Sequence, residues 1–373
     1  MLKTGETFVN TSLRYKKITV KVGSNVLTKS DGTLNDVHIS HLVDQIAELR
    51  QKGVEIVLVS SGAVAAGRGE IGNGRKLDTV SARQLWSAVG QVKLINCYAE
   101  ALKKYGISCA QVLTTKENFS DRVHYLNMKN CISTLIENKV LPIVNENDTI
   151  SVTELMFTDN DELSGLIASM EDSEALIILS NIDGIYDGSP DLPESKVIRE
   201  ITSKSKPLNE AISTSKSNFG RGGMLTKYHI AKKVAKGGIN VHIANGMKEN
   251  TLLRIMNMEQ EIVHTTFLSE KKKSSNVKKW ISYSESFAKG ELVVNEGAKK
   301  ALLSSQASSL LPVGVISIVG DFEKGDLVKI KDEDGLLIGI GKSEYDSEKA
   351  EKFKGNKNKK ALVHYDYLYL MES

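Results

Sequence analysis

The run VEIVLVSSG at residues 54–62 constrains this chain more than any other segment. Side chains alternate faces along a strand, so a nearly continuous apolar run marks a strand covered on both sides, as in a parallel sheet. Similar runs recur at KKITVKVG (16–23), ISCAQVL (107–113), KVLPIVN (139–145), EALIILS (174–180) and INVHIAN (239–245). Amphipathic stretches separate them at 36–52, 81–104, 121–138, 161–171 and 223–236. In the first of these, Val37, Leu42, Ile46 and Leu49 recur at helical spacing, and Gly53 supplies a C-terminal stop. Strand–helix–strand repetition predicts right-handed crossovers and an α/β fold, a three-layer αβα sandwich around a mostly parallel sheet. The longer, more polar segment 183–222 is expected to hold a small hairpin or excursion.

The texture changes near residue 268. EKKKSSNVKKW (270–280) reads as an exposed linker. Beyond it, GELVV, GVISIVG, GDLVKIKDEDG, LLIGIG and ALVHYDYLYL alternate with turn signals, and 296–304 reads as a helix. These features predict a small, mostly β module of barrel type. The expected division is a tail at 1–15, an α/β domain at 16–265, a linker at 266–280 and the β module at 281–373. A chain of 373 residues suits two domains of ordinary size.

Composition removes several classes of function. No apolar run approaches the ~18 residues that span a membrane, and residues 1–16 lack the apolar core of a signal peptide. Cys97, Cys109 and Cys131 lie far apart, which argues against zinc or a disulfide framework and for a reducing compartment. Forty-nine basic against 46 acidic residues give +3, too near balance to mark a nucleic-acid binder. A soluble, cytoplasmic, globular protein is expected.

Candidate chemistry gathers where strands end. GRGEIG (67–72) matches GxGxxG formally, but it starts seven residues after the strand reading ends at Ser60, out of register for a dinucleotide turn. No GxxxxGK[ST] occurs, which excludes a P-loop. Gly23-Ser24 and Ser60-Ser61-Gly62-Ala63 do sit at strand ends, where open α/β sheets bind ligands. Glycine there lets backbone N–H groups approach an anion, although an ordinary strand-to-helix turn favours the same residues. Lys21 lies inside an apolar strand two residues before Gly23, suited either to neutralising phosphate in the crevice or to a solvated edge. NFGRGGMLTK (218–227) brings three glycines to a helix start, with Lys227 one turn in; it reads as a phosphate site or as a surface loop.

Asn145, Asn147, Asp148, Asp159, Asn160 and Asp161 concentrate in NENDTI (145–150) and FTDNDELSG (157–165). Single Asn and Asp residues are commonly turn formers. Together these could hold an amino acid's ammonium and carboxylate, or orient lysines and Mg²⁺. The seven histidines form no ligand cluster, and Ser61 lacks a His/Asp partnership or GxSxG context, so neither a metal centre nor a serine nucleophile is expected.

Taken in order, KVGS (21–24), VSSGAVAAG (59–67), AVGQ (88–91), NEND (145–148), TDNDELS (158–164) and GRGGMLTK (220–227) resemble the glutamate 5-kinase family of the amino acid kinase superfamily. VNEGAKKALL (294–303) and SSLLPVGVISIVGDFEKGD (308–326) are similar to the PUA domain that many of its bacterial members carry. The resemblance runs from about residue 16 to the end. It implies ATP-dependent phosphorylation of the γ-carboxylate of L-glutamate, the first step of proline synthesis, with Mg²⁺ arriving on the nucleotide and no all-protein metal site. It implies that Lys21 and Lys227 neutralise the transferring phosphoryl group while Asp161 holds both. It gives Ser61, Asp148, Asn160 and Asn145 to glutamate. The nucleotide and its phosphates fall to Lys21, Gly23, Ser24, Gly62, Ser180, Asn181, Arg221, Gly222, Gly223, Met224, Leu225, Thr226 and Lys227. Feedback inhibition by proline and assembly as a dimer or tetramer are further expectations.

Two positions depart from the family pattern. Ser180-Asn181 replaces the usual Thr-Asp, and Arg221 stands where a small residue is common. Another amino acid kinase with a different acceptor is the nearest alternative. PUA modules bind RNA in modification enzymes, but the lysines beyond residue 270 are nearly balanced by acids and no aromatic-interleaved basic stripe appears. A regulatory or oligomer-supporting role for the module is expected instead.

Overall fold

The computed structural model describes residues 13–72, 77–151, 157, 159–190, 192–205, 223–258, 261–270, 280–281, 285–304 and 308–371. They divide into two compact units, one of residues 1–118 and 125–272, the other of residues 119–124 and 273–373.

An eight-stranded sheet organises the first unit. Its strands are β1 (Lys17–Val22), β2 (Glu55–Ser60), β3 (Cys109–Thr114), β4 (Leu141–Glu146), β5 (Ala175–Ser180), β6 (Glu200–Ile201), β7 (Asn240–Asn245) and β8 (Thr265–Phe267), in the order β3-β4-β2-β1-β5-β7-β8-β6. All neighbours are parallel except β7 and β8. Strands β4 and β5 are buried at every position, as their continuous apolar runs require. β8 escapes the periodicity reading because three residues carry too little pattern. It lies across the expected boundary at 265, and the Glu270 amide still bonds to the Ala235 carbonyl at 3.1 Å.

Helices α2 (Asp36–Gln51), α3 (Ala63–Ile71), α4 (Thr79–Lys103), α6 (Arg122–Glu137), α7 (Asn160–Met170) and α8 (Met224–Lys236) join the strands, with one-turn helices α1 (Ser24–Leu27) and α5 (Glu117–Ser120). The Asn35 side chain caps α2 by accepting from the His38 amide. The buried face of α2 runs through Ile39, Leu42, Val43, Ile46 and Leu49; Val37 is 60% exposed, so it does not belong to the stripe. α3 absorbs residues 67–71 of GRGEIG and Gly72 is its C-cap, so the match is a helix end and not a strand-end turn. Gly67 and Gly90 let α3 and α4 touch: a Cβ on Gly67 would lie 1.8 Å from the Trp86 carbonyl oxygen, and one on Gly90 1.7 Å from that of Ala63. In the excursion after β5, Tyr186 and Val197 form an antiparallel bridge; residues 206–222 lie outside the described region.

The second unit carries β9 (Gly290–Val294), β10 (Val315–Val319), β11 (Leu327–Lys331), β12 (Leu337–Ser343) and β13 (Val363–Leu370), in the order β10-β9-β11-β12-β13. β9 and β11 are parallel and the other pairs antiparallel. Its own core includes Leu292, Val328, Ile330 and Leu362, all fully buried. The helices at Glu296–Leu303 and Ser347–Phe353 complete it. The three cysteines are unpaired, and among the described residues no helix is long and apolar enough to cross a membrane.

Candidate active site

The strand order turns back on itself around β1. From β1 the chain moves to β2 on one side, then returns to place β5 on the other. Ligands bind outside the carboxyl ends of strands at such a switch point. A cleft of about 850 Å³ opens there, lined from the ends of β1, β2, β4 and β5 and from the starts of α3, α7 and α8.

Its charged centre is a buried carboxylate between two buried ammonium groups. Asp161, in the first turn of α7, is fully buried. Lys21 of β1 places Nζ 2.5 Å from Asp161 Oδ1, and Lys227 of α8 places Nζ 2.9 Å from Asp161 Oδ2. Both lysines are more than nine-tenths buried. Burial alone would raise the Asp161 carboxyl, but the two cations hold it down to about 2. Burial alone would lower Lys227, and Asp161 nevertheless raises it above the ordinary lysine value. Two ammonium groups share this one carboxylate and both line the cleft, where a polyanion could meet them.

Backbone dipoles reinforce this. Gly62 (φ +99°) turns the chain from β2 into α3, a conformation open to glycine. Neither α3 nor α8 has a side chain capping its N-terminus; Gly62 and Gly223 precede them. At Gly23 space alone does not demand glycine. A Cβ there would approach the Leu179 carbonyl oxygen to 3.4 Å and Lys21 Nζ to 3.6 Å.

Asp159 caps α7, its Oδ1 accepting from the amides of Asp161 and Glu162 at 2.9 and 3.1 Å. Its Oδ2 is buried and, among the described residues, has no hydrogen-bond partner. Burial and the neighbouring Asp161 charge push the Asp159 carboxyl up to about 6.

On the other side of the cleft, Asn160 Nδ2 donates to the Ser60 carbonyl (3.1 Å), Ser61 Oγ (3.0 Å) and Asn145 Oδ1 (2.9 Å). Asp148 lies near them on the cleft wall, but one of its oxygens is already engaged. Arg83 of α4 donates to Asp148 Oδ1 from Nε at 2.9 Å and from one Nη. Arg83 escaped the sequence reading because it lies in the second turn of an amphipathic helix, away from any strand end. The adjacent AVGQ block was the available signal, since Gly90 fixes where α4 sits.

Among the nucleotide-side expectations, Gly23, Ser24, Gly62, Ser180, Asn181, Met224 and Lys227 line the cleft, joined by Ile182 and Pro190. Gly223 is the N-cap of α8, whereas Leu225 and Thr226 follow within the helix and do not line the cleft. Arg221 and Gly222 lie outside the described residues. No histidine lines the cleft, and no group of three acidic, histidine or cysteine side chains among the described residues could cage a metal ion.

A parallel sheet whose switch point holds two lysines on one aspartate defines a phosphotransferase of the amino acid kinase type. The amino acid kinase family pattern matches residues 16–245, and the PUA domain pattern residues 290–365. Over 356 residues the chain is 59% identical to glutamate 5-kinase of Bacteroides thetaiotaomicron, covering 95% of this chain and 99% of that protein. It is 48% identical to glutamate 5-kinase of Chlorobaculum tepidum, covering 96% and 98%, and 40% identical to that of Thermoanaerobacter sp., covering 95% and 98%. The chain belongs to the amino acid kinase family, within its glutamate 5-kinase branch.

Proposed function

We propose that this protein transfers the γ-phosphoryl group of ATP to the γ-carboxylate of L-glutamate. A carboxylate oxygen attacks the γ-phosphorus, the bond to the bridging β,γ-oxygen breaks, and glutamyl 5-phosphate and ADP result. The carboxylate is already ionised near neutral pH, so no general base is needed. The difficulty lies in bringing two anions together, which positioning and charge stabilisation must offset.

The observation that carries this reading is the Lys21–Asp161–Lys227 group at the carboxyl ends of the strands. In this reading the lysines face the transferring phosphoryl, Ser180 and Asn181 the nucleotide, and Ser61, Asn145, Asp148 and Asn160 the acceptor. Mg²⁺ would arrive on the nucleotide's phosphates, and the unpartnered Oδ2 of Asp159 is the carboxylate oxygen suited to meet it. Proline, expected from the resemblance to this family, would inhibit by competing on the acceptor side.

The test is ADP release with ATP, Mg²⁺ and L-glutamate, with hydroxylamine trapping the acyl phosphate as a hydroxamate, run with and without proline. Release with aspartate or carbamate instead of glutamate would replace the acceptor. Lys227→Met leaves Lys21 paired with Asp161 and should lose at least ~10²-fold in turnover, measured on protein whose circular dichroism shows it folded; near-normal turnover would remove Lys227 from the mechanism.

A further inference from the structure

We infer that Arg83 reads the α-carboxylate of the amino acid acceptor, paired with Asp148, which reads the α-ammonium. The inference rests on the proposed function and adds the residue that distinguishes an α-amino acid from a plain carboxylic acid.

Arg83 is held in place from several directions. α4 seats on α3 through the Gly67 and Gly90 contacts. From α4, Gln84 Nε2 donates to the Thr149 carbonyl at 2.8 Å, Ser87 Oγ to Asp148 Oδ2 at 3.5 Å, and Gln91 Nε2 to the Glu146 carbonyl at 3.4 Å. One face of the helix is thus fastened along the segment 146–149, and Arg83 stands at the end of that row.

The donor arithmetic leaves part of the guanidinium available. Nε and one Nη engage Asp148 Oδ1, and that Nη lies 3.6 Å from Glu146 Oε2. A guanidinium has five N–H donors, and among the described residues the other Nη meets no acceptor. The Arg83 side chain is 24% exposed and lines the cleft beside Asp148 and Asn145. Among the described residues, Asp148 Oδ2 has a single long contact, from Ser87. A planar donor group beside a carboxylate oxygen with spare capacity complements a zwitterion: carboxylate to the fork, ammonium to the acid. The two lysines on Asp161 are more than nine-tenths buried and already paired, so they serve a different anion.

The test compares three acceptors in the full-length enzyme. 4-Aminobutyrate is L-glutamate without its α-carboxylate, and glutarate is L-glutamate without its ammonium. In the wild-type enzyme both should be poor acceptors. Arg83→Gln should raise KM for L-glutamate by about 100-fold, with KM for ATP within about threefold. It should also shrink the glutamate to 4-aminobutyrate ratio of kcat/KM by a similar factor, and Arg83→Lys should recover part of both. If Arg83 only props Asp148, its loss harms glutamate and 4-aminobutyrate equally. That ratio then stays within about twofold while the glutamate to glutarate ratio falls, and the inference is overturned. If the wild-type enzyme releases no ADP with glutamate, the proposed function itself falls, and this reading with it.

Discussion

At the residue scale, the molecule concentrates its electrostatic risk in one carboxylate. Asp161 is fully buried and carries two ammonium partners. Removing one member of a buried ionic group strands the remaining charges without compensation. Asp161→Asn is therefore expected to destabilise the protein by about 3–5 kcal/mol in urea unfolding. Added ATP should raise the melting temperature more in this variant than in wild type, because a polyphosphate supplies the missing negative charge.

Asp159 and Asp161 respond to pH in opposite directions. The Asp161 carboxyl is depressed to about 2, so its stabilisation is present above its unfolded value and is lost as pH falls through 2. The Asp159 carboxyl is raised to about 6, so the folded state binds its proton more tightly than the unfolded chain does. Its ionised form costs stability once pH exceeds the unfolded value, and the cost is complete above about 6. Asp159→Asn keeps the capping carbonyl oxygen and removes that charge. Its melting temperature relative to wild type should be highest at about pH 7.5 and fall away below about pH 4. A difference independent of pH would show that Asp159 is not ionised in the free protein.

At the element scale, the contact between α3 and α4 sets where Arg83 and Asp148 meet, on the proposed acceptor side. Two backbones approach there so closely that neither Gly67 nor Gly90 has room for a methyl group. Gly90→Ala must push the helices apart, and overpacking of this kind costs about 1–3 kcal/mol. α4 carries Arg83 and Ser87 to Asp148, whereas the lysines on Asp161 come from β1 and α8. The expected result is a KM for glutamate that rises well beyond any change in KM for ATP, measured beside a denaturant midpoint. Equal changes in both constants would mean that α4 supports the whole cleft.

At the scale of the whole molecule, the two units have separate cores, and every residue lining the cleft belongs to the first. Ile330 is fully buried in the core of the second unit. Ile330→Ala should cost that unit about 2–5 kcal/mol, visible as a lower transition in calorimetry. The core of the second unit shares no residue with the lining of the cleft, and sites without shared partners act independently, so KM for ATP and for glutamate should stay within about twofold below that transition. A shift in either constant would reveal coupling between the units.

Much of this architecture was written in the chain. Near-continuous apolar runs marked β1, β2, β4, β5 and β7 as interior parallel strands, because only a strand with helices on both faces tolerates such a run. Gly, Ser and Asn after those strands located the ligand edge, and Lys21, out of place in an apolar strand, pointed to it. Weak local patterns hid β8, with three residues, and α3, whose small residues carry little amphipathic signal. Partnership could not be read locally at all. That Lys21 and Lys227 share Asp161, or that Arg83 occupies Asp148, is decided by which strand lies beside β1 and how closely two glycines let their helices approach. Local sequence dictates backbone conformation and burial, whereas the meeting of distant charges exists only once the sheet is ordered and its helices packed.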